Sequence, residues 1–316
     1  MRLFRHLSPT VSRVLQLTVF AGLIVLVWYT ADGWAAVSLL HTADPVWLMG
    51  AVALLTLQTV LSAQRWRITA DQLGLTIPFF EAIREYYLAQ VVNQSLPGGI
   101  LGDAGRAVRA RKDVGLMISG QAVVFERLAG QIGLLMILLF GLGLSVIVPV
   151  GFTWPVWVMA PLGILFTVLI IGLIALVMTA WRTPVRDGTL GGFAASFMHA
   201  TAAPKVLGPQ IFLSLSTAFC NIGAFAFCAA ALGLGLPVLV VATLVPLILF
   251  AMVIPLSIGG WGFREGAAAL LFPVMGAAAS EGLATSVAFG LAFLLTVLPG
   301  LLLTWLRPIA PVPEQQ

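Results

Sequence analysis

Long apolar runs separated by short polar stretches occupy almost the whole chain. A helix needs about 20 apolar residues to cross the roughly 30 Å hydrocarbon core of a bilayer. Seven runs are long enough, at 14–31, 46–63, 115–148, 156–179, 208–232, 238–254 and 283–306. An eighth run, 263–279, is shorter and rich in alanine and glycine. The pattern predicts an all-α, polytopic integral membrane bundle of about eight transmembrane helices.

The segment 80–97 is only partly apolar and ends at Pro97. If it enters and leaves the membrane on the same side, every basic residue between the runs falls on one side, as the positive-inside rule requires of the cytoplasmic face. We therefore predict that this segment is re-entrant and that both termini are cytoplasmic. The basic residues in question are Arg2, Arg5, Arg13, Arg65, Arg67, Arg84, Arg106, Arg109, Arg111, Lys112, Arg182, Arg186, Lys205, Arg264 and Arg307.

The composition agrees with a membrane protein. Hydrophobic residues make up 60% of the 316 positions, charged residues only 9%, and the mean hydropathy is +1.06, too apolar for a soluble domain. The net charge of +4 reflects membrane orientation rather than nucleic-acid binding, because no basic patch is interleaved with stacking aromatics. No linker or change of composition divides the chain, so residues 1–316 are predicted to form one domain. No His, Cys, Asp and Glu spacing suggests a metal or another cofactor.

Two glycine-rich segments, 96–106 and 255–265, interrupt the apolar pattern in a similar way. Each contains a proline, several glycines and an arginine nine residues after the proline. Proline and glycine break helices, and a broken helix inside a bilayer must line a cavity or be buried in protein. Paired segments of this kind mark the central site of many transporters. Half-helices that begin near Asp103 and Phe263 would direct positive dipole ends toward the break and favour an anion there. The alternative is a pair of cytoplasmic loops with ordinary turns.

Glu126 and Arg127 are predicted to lie near the middle of the bilayer, because they come about eleven residues after the start of a long helix at Gly115. A central charge costs roughly 2.5–3.5 kcal/mol, so each residue needs a partner or a wet cavity. Adjacent residues point about 100° apart on a helix and satisfy each other poorly. The candidate partners are Asp103, Arg106, Arg264 and Glu265. The pair either locks helices together or lines a substrate path.

The basic run Arg106, Arg109, Arg111 and Lys112 follows the first glycine segment. Anionic headgroups attract such a run by about 1 kcal/mol per charge. It is therefore predicted to anchor a short helix at the cytoplasmic face, with specific headgroup recognition as the alternative.

These motifs resemble a known family, the transmembrane region of lysylphosphatidylglycerol synthases, also called flippase-like integral membrane proteins. The resemblance covers nearly the whole chain and rests on Asn93 with residues 96–99, on residues 102–106, on Glu126 with Arg127, and on Pro255 with residues 259–265. It implies a bundle with re-entrant segments that moves an aminoacylated phospholipid between leaflets. The best-known members also carry a soluble synthetase domain. This sequence has none, so we expect no synthetase activity from it.

The predicted function is that of a bacterial inner-membrane lipid flippase or transporter for a phospholipid or a related anionic or aminoacylated lipid. Arg106 and Arg264 would hold phosphate, and Asp103 and Glu126 would balance charge or hold a cationic headgroup. The predicted substrate-binding residues are Asn93, Pro97, Gly98, Gly99, Asp103, Arg106, Glu126, Arg127, Pro255, Gly259, Gly260, Arg264 and Glu265.

Two alternatives belong to other functional classes. One is an intramembrane enzyme acting on a phospholipid or polyprenyl substrate, with Asp103 or Glu126 as base, although no nucleophile has an adjacent base. The other is a scaffold for a separately encoded lipid synthase. The expected partners are membrane lipids, with such a synthase and a second copy of the chain as further candidates, and no nucleic acid.

Overall fold

The described structure consists of helices and the turns between them. It is a computed structural model that describes residues 24–96, 99–111, 114–147, 190–253 and 259–306, with isolated positions at 18–22 and 160–179. The all-α prediction is confirmed for these residues. Their helices are α1 (Ile24–Thr30), α2 (Gly33–His41), α3 (Pro45–Gln72), α4 (Phe79–Ser95), α5 (Leu101–Ala110), α6 (Gly115–Ile147), α7 (Leu190–Ala202), α8 (Leu207–Ala231), α9 (Val238–Phe250), α10 (Phe263–Leu271) and α11 (Ala279–Leu306), with 3-10 turns at Ala251–Val253 and Phe272–Met275.

Four of the described helices are long and apolar enough to cross a membrane: α3, α6, α8 and α11. Helices α1 and α2 meet at a bend of 84° and give a fifth span if the bent pair is counted as one. The predicted count of about eight crossings is therefore not established. The predicted span 156–179 and both termini lie outside the continuously described residues, and α9 has only 13 residues.

Helix α3 is longer than predicted. Asp44 caps its first turn, where the Val46 amide donates to the Asp44 carboxylate at 2.8 Å, and Pro45 is a favourable first residue. The predicted run ended at residue 63, with Arg65 in a cytoplasmic loop. That placement is wrong, because no proline or glycine stops the helix before Gln72 and Arg65 is buried on it.

Helix α2 lies between the predicted runs 14–31 and 46–63, in a stretch for which no helix was predicted. Asp32 has a φ of 51°, which ends α1, and its carboxylate accepts a hydrogen bond from the Ala35 amide at 3.2 Å. A capped helix of nine residues therefore begins directly after the bend. Helix α7 was also not predicted.

Helices α4 and α5 fold back on each other around the first glycine segment. The Gly102 amide donates to the Asn93 side chain at 2.7 Å, while at the other end of the pair Arg109 contacts Glu85. The contacts run in opposite directions along the two helices, so they form an antiparallel hairpin. The stretch 80–97, predicted to be re-entrant by itself, is one helix as far as Ser95, and the chain turns back only through α5; the position of this hairpin in a bilayer stays a prediction.

The second glycine segment separates α9 from α10, and α10 then packs antiparallel to α11. Glu265 of α10 contacts Ser286 of α11, and Ala268, further along α10, lies against Gly282, which comes earlier in α11. The two helices therefore run in opposite directions. A Cβ on Gly282 would lie 2.5 Å from the Ala268 carbonyl oxygen. The half-helices begin at Leu101 and Phe263, close to the predicted starts near Asp103 and Phe263.

The α4–α5 hairpin requires glycine at position 102. A Cβ there would lie 2.0 Å from the backbone oxygen of Ala89, which cannot move without displacing α4. We expect Gly102→Ala to lower the free energy of unfolding by about 1–3 kcal/mol, the usual cost of overpacking. Thermal unfolding of the purified protein measures this loss. The control is Gly120→Ala in α6, where no atom lies within 4 Å of the added Cβ and stability should be unchanged or slightly higher. Equal melting temperatures for both variants would contradict this prediction.

Candidate functional site

A cavity of about 460 Å³ lies between the two glycine segments. Gly99 and Ile100 line it from the first segment, and Gly259 and Gly260 from the second. Gln94, near the end of α4 and just before the first segment, packs against the second segment, since a Cβ on Gly259 would lie only 1.9 Å from the Gln94 Oε1 atom. All three glycines of the second segment, Gly259, Gly260 and Gly262, have positive φ values, 56°, 86° and 88°, that side chains rarely adopt. The two segments with matching sequences therefore meet at one site.

Carboxamide side chains form much of the polar wall of this cavity. They come from four helices, α3, α4, α6 and α8, and are Gln58, Gln90, Asn93, Gln94, Gln131 and Asn221. Sequence reasoning identified only Asn93. The signal was present, because Tyr86, Gln90, Asn93 and Gln94 recur at the helical spacing i, i+4, i+7 and i+8, and the other amides lie alone inside apolar runs.

Asp103 and Arg127 bring charge to the cavity surface. Arg127 Nη2 forms an ion pair with Asp103 Oδ2, and Asn93 donates to the same carboxylate oxygen at 3.0 Å. Arg127 also donates to the Gly99 carbonyl oxygen at 3.4 Å, and 44% of its side chain is exposed. The guanidinium is thus tethered to the α4–α5 hairpin while one side of it remains accessible.

Glu126 lies behind the cavity wall, completely buried, and both of its carboxylate oxygens accept from arginine. Oε1 accepts from Arg65 Nη2 at 2.6 Å and from the Tyr86 hydroxyl at 3.2 Å, and Oε2 accepts from Arg106 Nη2 at 2.9 Å. The predictions that Arg106 and Asp103 supply partners for Glu126 and Arg127 are confirmed. Arg65, which lies 61 residues before Glu126, was missed.

Arg106 is also completely buried. Its guanidinium carbon lies 4.8 Å from the Trp66 ring and 4.5 Å from the Tyr86 ring, and its Nε is 2.9 Å from Asp103 Oδ1. Aromatic faces stabilise a delocalised cation away from water. The prediction that Arg106 belongs to a run anchored at the membrane surface is therefore wrong. Arg109 pairs with Glu85 at 2.5 Å, and Lys112 lies outside the described residues.

Arg264 and Glu265 form a second buried cluster in α10. Arg264 Nη2 is 2.5 Å from Glu265 Oε1, and Ser286 donates to the same oxygen at 2.9 Å. The Arg264 guanidinium carbon lies 5.0 Å from the Trp261 ring and 5.3 Å from the Phe289 ring. The prediction that these residues pair with Glu126 or Arg127 is wrong, because their charges neutralise each other within α10.

The N-termini of both half-helices already carry carboxylates. Asp103 lies in the first turn of α5 and Glu265 in the first turn of α10, where the Gly262 amide donates to Glu265 Oε2 at 2.6 Å. Glu265 thus occupies the position predicted for an anionic ligand at α10, and at α5 the Asn93 side chain accepts from the Gly102 amide. An anion in the cavity would have to use Arg127 instead.

The predicted site residues fall into three groups. Asn93, Gly99, Asp103, Arg127, Gly259 and Gly260 line the cavity. Four charged residues are buried and do not line it: Arg106, Glu126, Arg264 and Glu265. Pro97, Gly98 and Pro255 lie outside the described residues.

A comparison with protein families gives one match, over residues 13–300, to the family described as the lysylphosphatidylglycerol synthase TM region. The matched residues include both glycine segments, the cavity lining and both buried ion-pair clusters. Neither a curated protein nor a solved structure matches the chain.

Proposed function

Since this chain belongs to the lysylphosphatidylglycerol synthase transmembrane region family, we propose that it moves a phospholipid between the two leaflets of a membrane. Family membership and the apolar helices make it a multi-pass membrane protein with a role connected to membrane lipids. The proposal adds translocation itself, a bacterial inner membrane as the location, and cytoplasmic termini.

The observation that supports translocation best is a cavity lined by six carboxamide residues inside a helical bundle whose outer surface is largely apolar. Helix faces away from the cavity expose large hydrophobic side chains such as Phe80, Phe140, Phe212 and Val238, which suit contact with acyl chains. The cavity offers hydrogen-bonding groups and broken backbone, which water or a headgroup can satisfy. A headgroup could therefore occupy the cavity while its acyl chains stay in lipid.

Arg127 is the residue that we assign to the lipid phosphate. Its guanidinium is accessible from the cavity, and arginine suits phosphate because its planar fork donates two parallel hydrogen bonds. Asp103 holds the guanidinium in place when no lipid is bound. The sequence predicted that Arg106 and Arg264 bind the phosphate. Both side chains are instead enclosed by carboxylates and aromatic rings, so we propose that they hold the two half-helices in position.

Arg127→Gln tests this assignment. The variant keeps a polar side chain but removes the charge, and we expect lipid translocation in reconstituted vesicles to fall at least about tenfold, since one charge-assisted hydrogen bond contributes roughly 1.5–3 kcal/mol. Folding should be nearly unaffected, because Asp103 retains Arg106 and Asn93 as partners.

The matched control for this experiment is Arg109→Gln. Arg109 pairs with Glu85 on the same hairpin but does not line the cavity, so its loss should leave the translocation rate unchanged. A normal rate in Arg127→Gln, or an equal loss in both variants, would contradict the assignment of Arg127 to the phosphate.

The intramembrane enzyme has less support. Asp103 and Glu126, its candidate bases, each form ion pairs with two arginines, so neither carboxylate is free to approach a substrate proton. The scaffold for a separate lipid synthase and self-association of the chain stay predictions.

A further inference from the structure

We propose that the cavity selects a phospholipid whose headgroup carries several hydroxyl groups, such as a glycerol or a sugar, over a cationic aminoacylated headgroup. The inference rests on the proposed function, in that it names the class of lipid that the translocation site would take. It is carried by the hydrogen-bonding capacity and the charge of the cavity wall.

The amide wall matches the chemistry of hydroxyl groups. A carboxamide offers two donors and an acceptor, and a hydroxyl likewise both donates and accepts. Six carboxamide residues line a space of about 460 Å³, within the usual range for small-molecule sites. A headgroup with several hydroxyls could use several of these groups at once.

Three of these amides have capacity to spare. The Oε1 atoms of Gln58, Gln94 and Gln131 are buried and accept no hydrogen bond within the protein. They come from α3, α4 and α6, so they surround the cavity from different sides. Most buried polar atoms in proteins have a partner, and rotation of these amides toward the cavity would bring an unpaired group within reach of a ligand. A hydroxyl suits either end of each amide, since it can accept from nitrogen or donate to oxygen.

The other three amides are held by the protein. Gln90 hydrogen-bonds Thr59 at 3.1 Å, Asn221 donates to the Thr217 carbonyl at 3.1 Å, and Asn93 bonds both Asp103 and Gly102. Gln58 also donates through its nitrogen to Ser62 at 3.0 Å, so these contacts fix four of the six amides in place. The cavity thus combines positioned groups with unpaired ones, as a specific binding site requires.

The charge of the wall disfavours a cationic headgroup. The ionised side chains that line the cavity in the described structure are Asp103 and Arg127, which neutralise each other. Asp103 also pairs with Arg106, so no carboxylate is left for a ligand ammonium group. An unpaired charge in such a site is costly, whereas a polyol needs no counter-charge and its phosphate can use Arg127.

The first test measures lipid binding to the wild-type protein. The purified full chain is mixed with each of four lipids that have identical acyl chains, and native mass spectrometry measures the bound fraction. The lipids are phosphatidylinositol, phosphatidylglycerol, phosphatidic acid and lysylphosphatidylglycerol. We expect phosphatidylinositol and phosphatidylglycerol to bind at least about tenfold more tightly than phosphatidic acid, which shares the phosphate but lacks the hydroxyls, since two or more hydrogen bonds are lost. Lysylphosphatidylglycerol should bind more weakly than phosphatidylglycerol. Equal binding of phosphatidic acid, or a preference for lysylphosphatidylglycerol, would overturn the proposal.

The second test is Gln131→Leu, which removes an unpaired amide at nearly constant volume. Phosphatidylinositol binding should weaken about fivefold or more, the equivalent of one hydrogen bond, while phosphatidic acid binding stays the same. Gln121→Leu is the control, because Gln121 lies on the same helix but does not line the cavity. An equal loss for both lipids, or no loss for either, would count against hydroxyl recognition by this wall.

Binding and translocation are separate measurements, so the two proposals can fail independently. A protein that selects hydroxylated headgroups but does not move lipid in vesicles supports the inference and overturns the proposed function. A protein that moves lipid without discriminating among the four headgroups supports the proposed function and overturns the inference.

Discussion

Glu126→Gln is expected to lower the stability of the protein more than any other substitution that replaces one charged residue of a buried ion pair with a neutral one. Glu126 is the common partner of Arg65 and Arg106, and all three side chains are buried. The neutral amide leaves Arg65 without its carboxylate and Arg106 with only Asp103. Breaking one buried pair costs about 3–5 kcal/mol, and this change weakens two.

The loss can be measured with the protein's own thiols. Cys220 and Cys228 are free and buried in α8, so a fluorogenic thiol reagent reports the temperature at which the bundle opens. Glu85→Gln is the control, because it weakens only one ion pair and the Arg109 side chain that it leaves behind is 23% exposed and can be solvated, so the loss should be smaller than for Glu126→Gln. Adding Arg65→Met to Glu126→Gln should restore part of the stability, since it removes one uncompensated cation. A melting temperature no lower than that of Glu85→Gln would show that Glu126 does not hold the helices together.

Arg264→Met is expected to have the second-largest effect. Methionine retains packing against Trp261 and Phe289, but Glu265 loses its cationic partner while remaining buried. The Ser286 hydroxyl and the Gly262 amide still donate to Glu265, but they do not neutralise its charge. We expect a loss of about 3–5 kcal/mol, measured by the same thiol reaction.

A double variant separates charge from packing in this cluster. In Arg264→Met with Glu265→Gln, no unpaired charge remains, and stability should be higher than in Arg264→Met alone. Ser286→Ala is the control that removes hydrogen bonds without leaving a charge unpaired, because Ser286 accepts from Arg264 and donates to Glu265, and it should cost less than Arg264→Met. If the double variant is as unstable as the single one, the stability of α10 depends on the shape of the arginine and not on its charge.

The two arginines that follow the prolines at equal spacing have equivalent surroundings. Each guanidinium lies between two aromatic rings and contacts a carboxylate in the first turn of a half-helix, Asp103 for Arg106 and Glu265 for Arg264. This equivalence gives the repeated spacing a structural explanation. The arginine fixes the half-helix beside the break, and the glycines beside it shape the cavity.

The sequence alone determined the class of the protein and the positions of its breaks. Hydrophobic runs, proline and glycine act locally, so the helices after the breaks begin close to where they were predicted, at Leu101 and Phe263. The cost of a charge in an apolar run is also a local property. It required partners for Glu126 and Arg127, and two of the proposed partners are the observed ones.

Only the tertiary structure decided which polar side chains line the cavity and which are buried without lining it. Arg65 reaches Glu126 across 61 residues of sequence, and the amides of the cavity wall come from four helices. The rotation of each helix about its own axis is set by packing against helices distant in sequence, such as α3 against α8. A periodic pattern identifies a polar position on a helix, but packing between helices determines whether that position faces an arginine, a lipid or the cavity.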